Sequence, residues 1–408
     1  MAYINRTLEQ SIEKISNFFP VIMVTGPRQV GKTTVLQNVA NTPATYVSLD
    51  SLANRNLAQT EPELFLQRFP APVLIDEVQY APQLFPYIKA IVDQENKPGM
   101  YWLTGSQQFH LMKNVSESLA GRVGILHLDG FSQDEKNGNP MAQPFLPTME
   151  YIDAKAKTSQ PMNINRVYDV IWRGSYPKMH GAPDDMWNTF YESYLQTYIE
   201  RDVKSFGAVG DTMAFVSFMR VLAARTGQEM NYSDIARDIG VTAPTIKSWL
   251  SVLEASGLVF LLRPYYSNVT KRIIKAPKVY FVDTGLAAFL TGWNTPETLA
   301  NGAMAGSIFE TYVVSEIIKS YWYNGRSPNI YYYRDNHGAE IDVLIEENGK
   351  LYPVEIKRTT TPNVGDIKNF KVIEDVLHAQ RGPGAVVCNA QTHLPLTADV
   401  NVIPVAYL

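Results

Sequence analysis

Two stretches near the start of the chain have the residue types and spacing that chemistry on a phosphate requires. The first is Gly26-Pro27-Arg28-Gln29-Val30-Gly31-Lys32-Thr33-Thr34. An apolar run, Val21 to Val24, precedes it and a stretch of helical spacing, Thr34 to Ala40, follows, so the context is strand, glycine loop, helix. There the glycines let backbone N–H groups turn inward around a nucleoside triphosphate, and the helix start adds the positive end of its dipole. Lys32 is expected to reach the outer phosphates, and Thr33 to hold Mg²⁺ by its hydroxyl. The second stretch, Val73-Leu74-Ile75-Asp76-Glu77, reads as an apolar strand ending in two carboxylates. Asp76 is expected on the same Mg²⁺ as Thr33, and Glu77 is expected to orient or activate the attacking water. Two adjacent acids at a strand end would repel without a cation. Both motifs, in this order, predict a Mg²⁺-dependent ATPase whose ligand is ATP.

A third group lies near the other end. Asn348-Gly349 is a two-residue hairpin signal between strand-like runs Ala339 to Glu346 and Leu351 to Arg358. That turn sets Asp342 opposite Glu355 and Glu340 opposite Lys357, with facing Cβ atoms about 5 Å apart. Glu355 and Lys357, two apart, share a face. Two carboxylates so placed suit Mg²⁺ or Mn²⁺, and a lysine beside them can position a water or steady a phosphate. The chemistry this predicts is metal-assisted phosphodiester hydrolysis. A cross-strand salt-bridge ladder is the other arrangement these residues allow. The flanking Ile341, Val343, Val354 and Ile356 leave only this face charged.

These residues must be positioned by several units, since 408 residues suggest two or three domains. The formal net charge of −4 excludes a general polyanion binder, so nucleic-acid contact requires a local patch. The single cysteine, Cys388, excludes an internal disulfide and a cysteine metal cluster. No run of eighteen apolar residues is present, so the chain reads as cytoplasmic, without membrane contact.

Residues 1–130 alternate strand and helix patterns, which predicts an α/β fold with a parallel sheet and ligands beyond the carboxyl ends of its strands. Thr104 and Ser106 fall at one such end, where a hydroxyl can sense the terminal phosphate, or simply cap a turn. Arg122 could bring a positive charge to phosphate. Residues 131–160, rich in Pro, Gly, Asn, Gln and Ser, read as a connector with little regular structure. Residues 161–228 are helical, with an aromatic stripe from Trp187 to Tyr198 expected in the core, and Arg201 ends that helix as a second candidate to reach nucleotide.

Residues 229–300 read as two short helices, a glycine turn and a following hairpin, the order of a winged helix. Thr242, Thr245, Lys247 and Ser248 would face outward from its second helix, and Lys271, Arg272, Lys275 and Lys278 would make a basic wing suited to DNA phosphates. Such a unit also serves as a protein-docking module. Residues 301–408 read as a separate α/β domain.

Gly26 to Thr33, Leu74-Ile75-Asp76-Glu77-Val78-Gln79 and Leu103-Thr104-Gly105-Ser106 resemble the prokaryotic AAA+ ATPases that carry a C-terminal domain of unknown function. Ser118-Leu119-Ala120-Gly121-Arg122, Arg173-Gly174-Ser175-Tyr176-Pro177 and Tyr198-Ile199-Glu200-Arg201-Asp202 match the same pattern. The resemblance implies a P-loop NTPase core with a helical lid. It also implies a homo-oligomer in which an arginine, Arg122 or Arg201, completes a neighbour's site. The C-terminal part is similar to the restriction-endonuclease-like, PD-(D/E)XK, fold, with Asp342 and Glu355-Ile356-Lys357 on its catalytic pattern. Gly306 with Glu310 resembles the helix glutamate of the junction-resolvase branch, and Glu316, on the apolar stripe, is expected to be buried instead. Gly338-Ala339-Glu340-Ile341-Asp342 departs from the pattern by lacking the Pro-Asp pair.

Overall fold

A computed structural model describes residues 3–39, 45–105, 118–140, 143–203, 210–268, 272 and 275–408, with the side chains of residues 201 and 202 outside that description. The N-terminal part is built on five parallel strands: β1 (Val21–Thr25), β2 (Thr45–Ser48), β3 (Val73–Asp76), β4 (Tyr101–Gly105) and β5 (Val123–His127). Their spatial order is β2-β3-β4-β1-β5. All five residues of β1 are buried, as a parallel strand covered on both faces requires. Ile22 and Val24 pack into one core and Val21 and Met23 into a second on the other side of the sheet. Because β4 separates β1 from β3, the glycine loop and the acidic strand end face each other across one intervening strand.

The stretch 131–160, expected to lack regular structure, instead holds two helices, Gln133–Lys136 and Met149–Thr158. The cause is capping. Ser132 and Glu135 form a reciprocal capping box, and the Thr148 hydroxyl accepts from Tyr151 N. The polar composition that suggested a connector is partly composed of helix caps.

Three longer helices follow: Ile164–Arg173, Met186–Tyr198 and Thr212–Ala224. The aromatic stripe is core, as expected. Trp187, Tyr191, Tyr194 and Tyr198 are buried, and Trp187 stacks on Trp172 with centroids 4.6 Å apart. Helices Tyr232–Ile239 and Ala243–Ala255 meet at Gly240, whose φ of +80° ends the first of them. An antiparallel pair, β6 (Val259–Leu262) and β7 (Lys278–Phe281), comes next.

The C-terminal part sets the buried helix Ala305–Trp322 against a mixed sheet. Its strands are β8 (Ile330–Arg334), β9 (Glu340–Glu347), β10 (Lys350–Lys357), β11 (Gln380–Arg381), β12 (Gly384–Cys388), β13 (Leu394–Pro395) and β14 (Val400–Pro404). The path runs β13-β14-β12-β10-β9-β8, with β11 beside β10. Asn348 and Gly349 have φ of +50° and +74°, both left-handed, and the ladder runs from Lys350 opposite Glu347 to Val354 opposite Val343. This is the register that an Asn-Gly turn of the twisted hairpin type imposes. Among the described residues, no helix is long and apolar enough to cross a membrane.

Candidate functional site

The glycine loop leaves the carboxyl end of β1. Gly26 has φ +139° and Gly31 φ +94°, and a Cβ on Gly26 would overlap the Leu128 carbonyl oxygen. That position therefore needs glycine for both conformation and space. The helix Lys32–Val39 starts at the end of the loop, so its first, unpaired N–H groups open towards the same space. Lys32 is buried, and its Nζ donates to Gly26 O at 3.0 Å and Pro27 O at 2.7 Å. A desolvated ammonium resting on two loop carbonyls is poised to move onto a stronger acceptor.

Thr33 Oγ1 donates to Asp76 Oδ1 at 2.7 Å, joining the two motifs directly. Tyr46 OH donates to the other oxygen of Asp76 at 3.1 Å, and the Thr104 hydroxyl also donates to Oδ1. Asp76 is thus held by hydroxyls from β2, β4 and the loop helix. Thr104, fully buried, also accepts from Glu77 N at 3.1 Å, so it ties both acids to β4. Glu77 sits in the left-handed region with φ +58°, and its carboxylate accepts from the side-chain amide of Gln79. A hydroxyl and a carboxylate in contact are the hard oxygen donors that Mg²⁺ takes, so the residues present fit that ion.

A cavity of about 260 Å³ opens beside the loop, lined in part by Tyr3, Ile4, Val30, Thr34 and Phe131. Arg6 builds one wall. It donates to Val30 O at 2.9 Å and Asp129 O at 2.7 Å, and its Nε lies 3.1 Å from Glu135 Oε2. Tyr3, Ile4, Arg6, Gln79 and Phe131 carried no role in the sequence reading. The first three form too short a segment to show periodicity, and Gln79 stood only as part of a motif.

The two arginine candidates fare differently. Arg122 precedes Val123, which pairs with Val21 at the amino end of β1, so it lies at the opposite end of the sheet from the loop. Its guanidinium grips Asp93, with Nη2 to Oδ2 at 2.9 Å, and donates to Ala120 O. It does not approach the nucleotide site of its own chain. The Arg201 side chain and Ser106 lie outside the described residues.

In the C-terminal sheet the β9–β10 ladder ends at Val354 opposite Val343, one residue short of Asp342 and Glu355, and Asp342 Oδ2 accepts from Ile356 N at 2.8 Å. Glu310, from the helix Ala305–Trp322, joins them. Burial, then the charges of Glu310 and Glu355, push the Asp342 carboxyl well above its usual range, and burial raises Glu355 as well. Cations already stand on this cluster. Lys357 Nζ is 2.6 Å from Glu355 Oε1, and Lys278 Nζ is 2.7 Å from Glu340 Oε1 and 3.5 Å from Glu310 Oε1. Among the described residues, no three His, Cys, Asp or Glu side chains are grouped to hold a metal ion. The second Mg²⁺ or Mn²⁺ expected at Asp342 and Glu355 does not fit this arrangement, because ammonium groups occupy the approaches. Glu316 is buried, accepting from Gln133 N at 2.8 Å and pairing with Lys319 at 2.9 Å.

The basic wing is also revised. Arg272 donates to Glu346 at 3.0 Å and to Tyr331 OH at 2.9 Å, and stacks over Tyr265. Lys278 is buried in the acidic cluster, Lys275 is exposed, and Lys271 lies outside the described residues. On the preceding helix Thr242 is a cap, accepting from Thr245 N at 3.3 Å, while Lys247 and Ser248 are exposed. Arg272→Ala is accordingly expected to lower Tm by several degrees through loss of a half-buried ion pair. Were Arg272 a phosphate contact, the same change would lower the salt slope of DNA binding by about 0.9. Thermal melts and a salt titration of DNA affinity separate the two.

A glycine loop and an acidic strand end, facing each other at the carboxyl edge of a five-stranded parallel sheet, form the arrangement typical of a P-loop AAA domain. Residues 19–137 match the AAA domain. Residues 164–297 and 305–408 match two domains of unknown function, DUF8612 and DUF4143. Uncharacterized proteins of Mycobacterium tuberculosis and Mycobacterium bovis are each 28% identical over 390 residues, covering 94% of this chain and 80% of theirs. Among solved structures, a Walker-type ATPase of Pyrococcus abyssi aligns with TM-score 0.41 at 14% identity, covering 71% of this chain and 96% of that one. The RuvB Holliday junction branch migration motor of Thermotoga maritima aligns with TM-score 0.30 at 17% identity, covering 62% and 86%.

Proposed function

We propose that the protein binds Mg·ATP between the loop 26–34 and the end of β3 and hydrolyses it. The observation that carries this reading is the 2.7 Å bond from Thr33 to Asp76, which unites the two motifs at one point. Thr33 and Asp76 would hold Mg²⁺, which supplies positive charge to the phosphate oxygens. Gly26 to Thr34 would offer backbone N–H groups, and Lys32 would exchange its two loop carbonyls for the outer phosphate. Glu77 would take the proton of the attacking water, with Gln79 fixing its carboxylate and Thr104 fixing its backbone. The cavity by Tyr3, Ile4 and Phe131 would receive the base. Ser106 and, from a neighbouring subunit of a homo-oligomer, Arg122 or Arg201 would complete the site. The test is phosphate release from ATP with Mg²⁺ and with excess chelator: turnover is expected only with Mg²⁺, and none in either condition refutes the reading.

Gln79→Ala is expected to lower kcat about tenfold with KM unchanged, the scale of one lost orienting bond near 1.4 kcal/mol. Steady-state kinetics checks this, and an unchanged kcat removes Gln79 from the site.

A second reading concerns what ATP controls. Gly257 lies against the P-loop at Pro27, where a Cβ would stand 3.0 Å from the ring. β6 starts two residues later, and its partner β7 carries Lys278 into the acidic cluster. We read the middle region as a winged helix, and the C-terminal domain as restriction-endonuclease-like. With lysines on the carboxylates, that domain would engage DNA or protein without cutting. High enzyme with plasmid and Mn²⁺ is expected to leave supercoiled DNA intact; nicking that Asp342→Ala abolishes would restore the nuclease reading.

A further inference from the structure

The acidic cluster of the C-terminal sheet takes a cation from another part of the chain. Lys278 opens β7 and is 4% exposed. Its ammonium sits between Glu340 at 2.7 Å and Glu310 at 3.5 Å. Tyr280, two residues on and so on the same side of the strand, donates to Glu310 Oε1 at 2.6 Å. The hairpin therefore enters the cluster with two side chains. Backbone bonds fasten the segment that follows β6 to the same sheet: Tyr332 N donates to Arg263 O at 3.0 Å and Tyr265 N to Tyr332 O at 2.6 Å. Arg334 and Glu229 add an ion pair at 3.0 Å.

Charge is not fully matched within this contact. Glu310, Glu340, Asp342 and Glu355 face the two ammonium groups of Lys278 and Lys357. Glu355 is buried, and its Oε2 has no hydrogen-bond partner. Removing Lys278 would leave these carboxylates with one ammonium in a poorly solvated place, which strongly favours any small cation able to replace it.

We infer that Lys278 is a latch. It stands where a divalent cation would bridge Glu310 and the sheet carboxylates, pins the β6–β7 hairpin to the C-terminal domain, and excludes divalent metal while docked. The kind of cation rests on the restriction-endonuclease-like reading; the latch itself rests on the distances.

The test uses the full chain carrying Asp76→Asn, without nucleotide, so that the P-loop contributes no metal site. Free Mn²⁺ is followed by electron paramagnetic resonance, and Tm is measured with and without Mn²⁺. With Lys278 present, no Mn²⁺ is expected to bind and Tm should not respond to it. Lys278→Met should lower Tm, gain about one Mn²⁺ per chain with roughly tenfold or greater affinity, and recover Tm in millimolar Mn²⁺. Adding Asp342→Asn should abolish that gain. If Lys278→Met does not fold, the pair Lys278→Gln with Glu340→Gln, which removes one charge of each sign, carries the same expectation.

Equal Mn²⁺ binding with and without Lys278, or no gain in a folded variant, overturns the latch. DNA cleavage is scored separately. A variant that gains Mn²⁺ and cuts nothing supports the latch while ending the nuclease reading.

Discussion

Glu77→Gln is expected to bind ATP as tightly as the unaltered chain and to lose turnover by about 10² to 10⁴-fold, the range of general-base catalysis. The amide keeps the shape and can still meet Gln79, but it cannot take the proton of water. Glu77 also holds an unusual left-handed backbone, with φ +58°, fixed from β4 by the bond of its N–H to Thr104. The substitution leaves that bond in place, so the loss should appear in kcat and not in nucleotide affinity. Fluorescent-ATP titration with a phosphate-release assay reads both. Full turnover by this variant would remove Glu77 from the base's role.

Lys32→Ala should weaken nucleotide binding about 10- to 100-fold and lower turnover by about 10² to 10³-fold, because a preorganised cation at the outer phosphate is lost. The fold should tolerate the change. The bonds of Lys32 Nζ to Gly26 O and Pro27 O stay within the loop itself. Circular dichroism melts beside the kinetics distinguish a binding defect from an unfolded loop. Wild-type affinity in Lys32→Ala would move the phosphate site elsewhere.

What could be read from sequence was what depends on neighbours in sequence. The glycine loop, the acidic strand end and the Asn348-Gly349 turn are local, and each dictates a backbone path. The turn alone set the facing residues of β9 and β10, because a two-residue loop permits one register. The burial of Glu316 followed from its place on an apolar helical stripe.

The failures share the opposite property. Arg272 looked available for DNA, but its carboxylate, Glu346, is 74 residues away, and Lys278 meets Glu310 and Glu340 from other elements. Composition shows that a residue is basic and cannot show which acid has already claimed it. Arg122 follows a glycine motif that suggested phosphate, yet it sits at the amino end of a parallel strand, away from the loop of its own chain, a position that only the sheet's direction reveals. The helices at Gln133–Lys136 and Met149–Thr158 were hidden because their caps are residues that also mark loops.

The most direct measurement is a crystal structure of the full chain grown with a non-hydrolysable ATP analogue and Mn²⁺, with anomalous data collected for the metal. The account predicts one Mn²⁺ peak, beside Thr33 and Asp76, with Lys32 on the outer phosphate and Lys278 still between Glu310 and Glu340. No metal at Thr33 and Asp76 in a nucleotide-bound site would contradict the ATPase reading. A second peak between Asp342 and Glu355, with Lys278 in place, would contradict the latch.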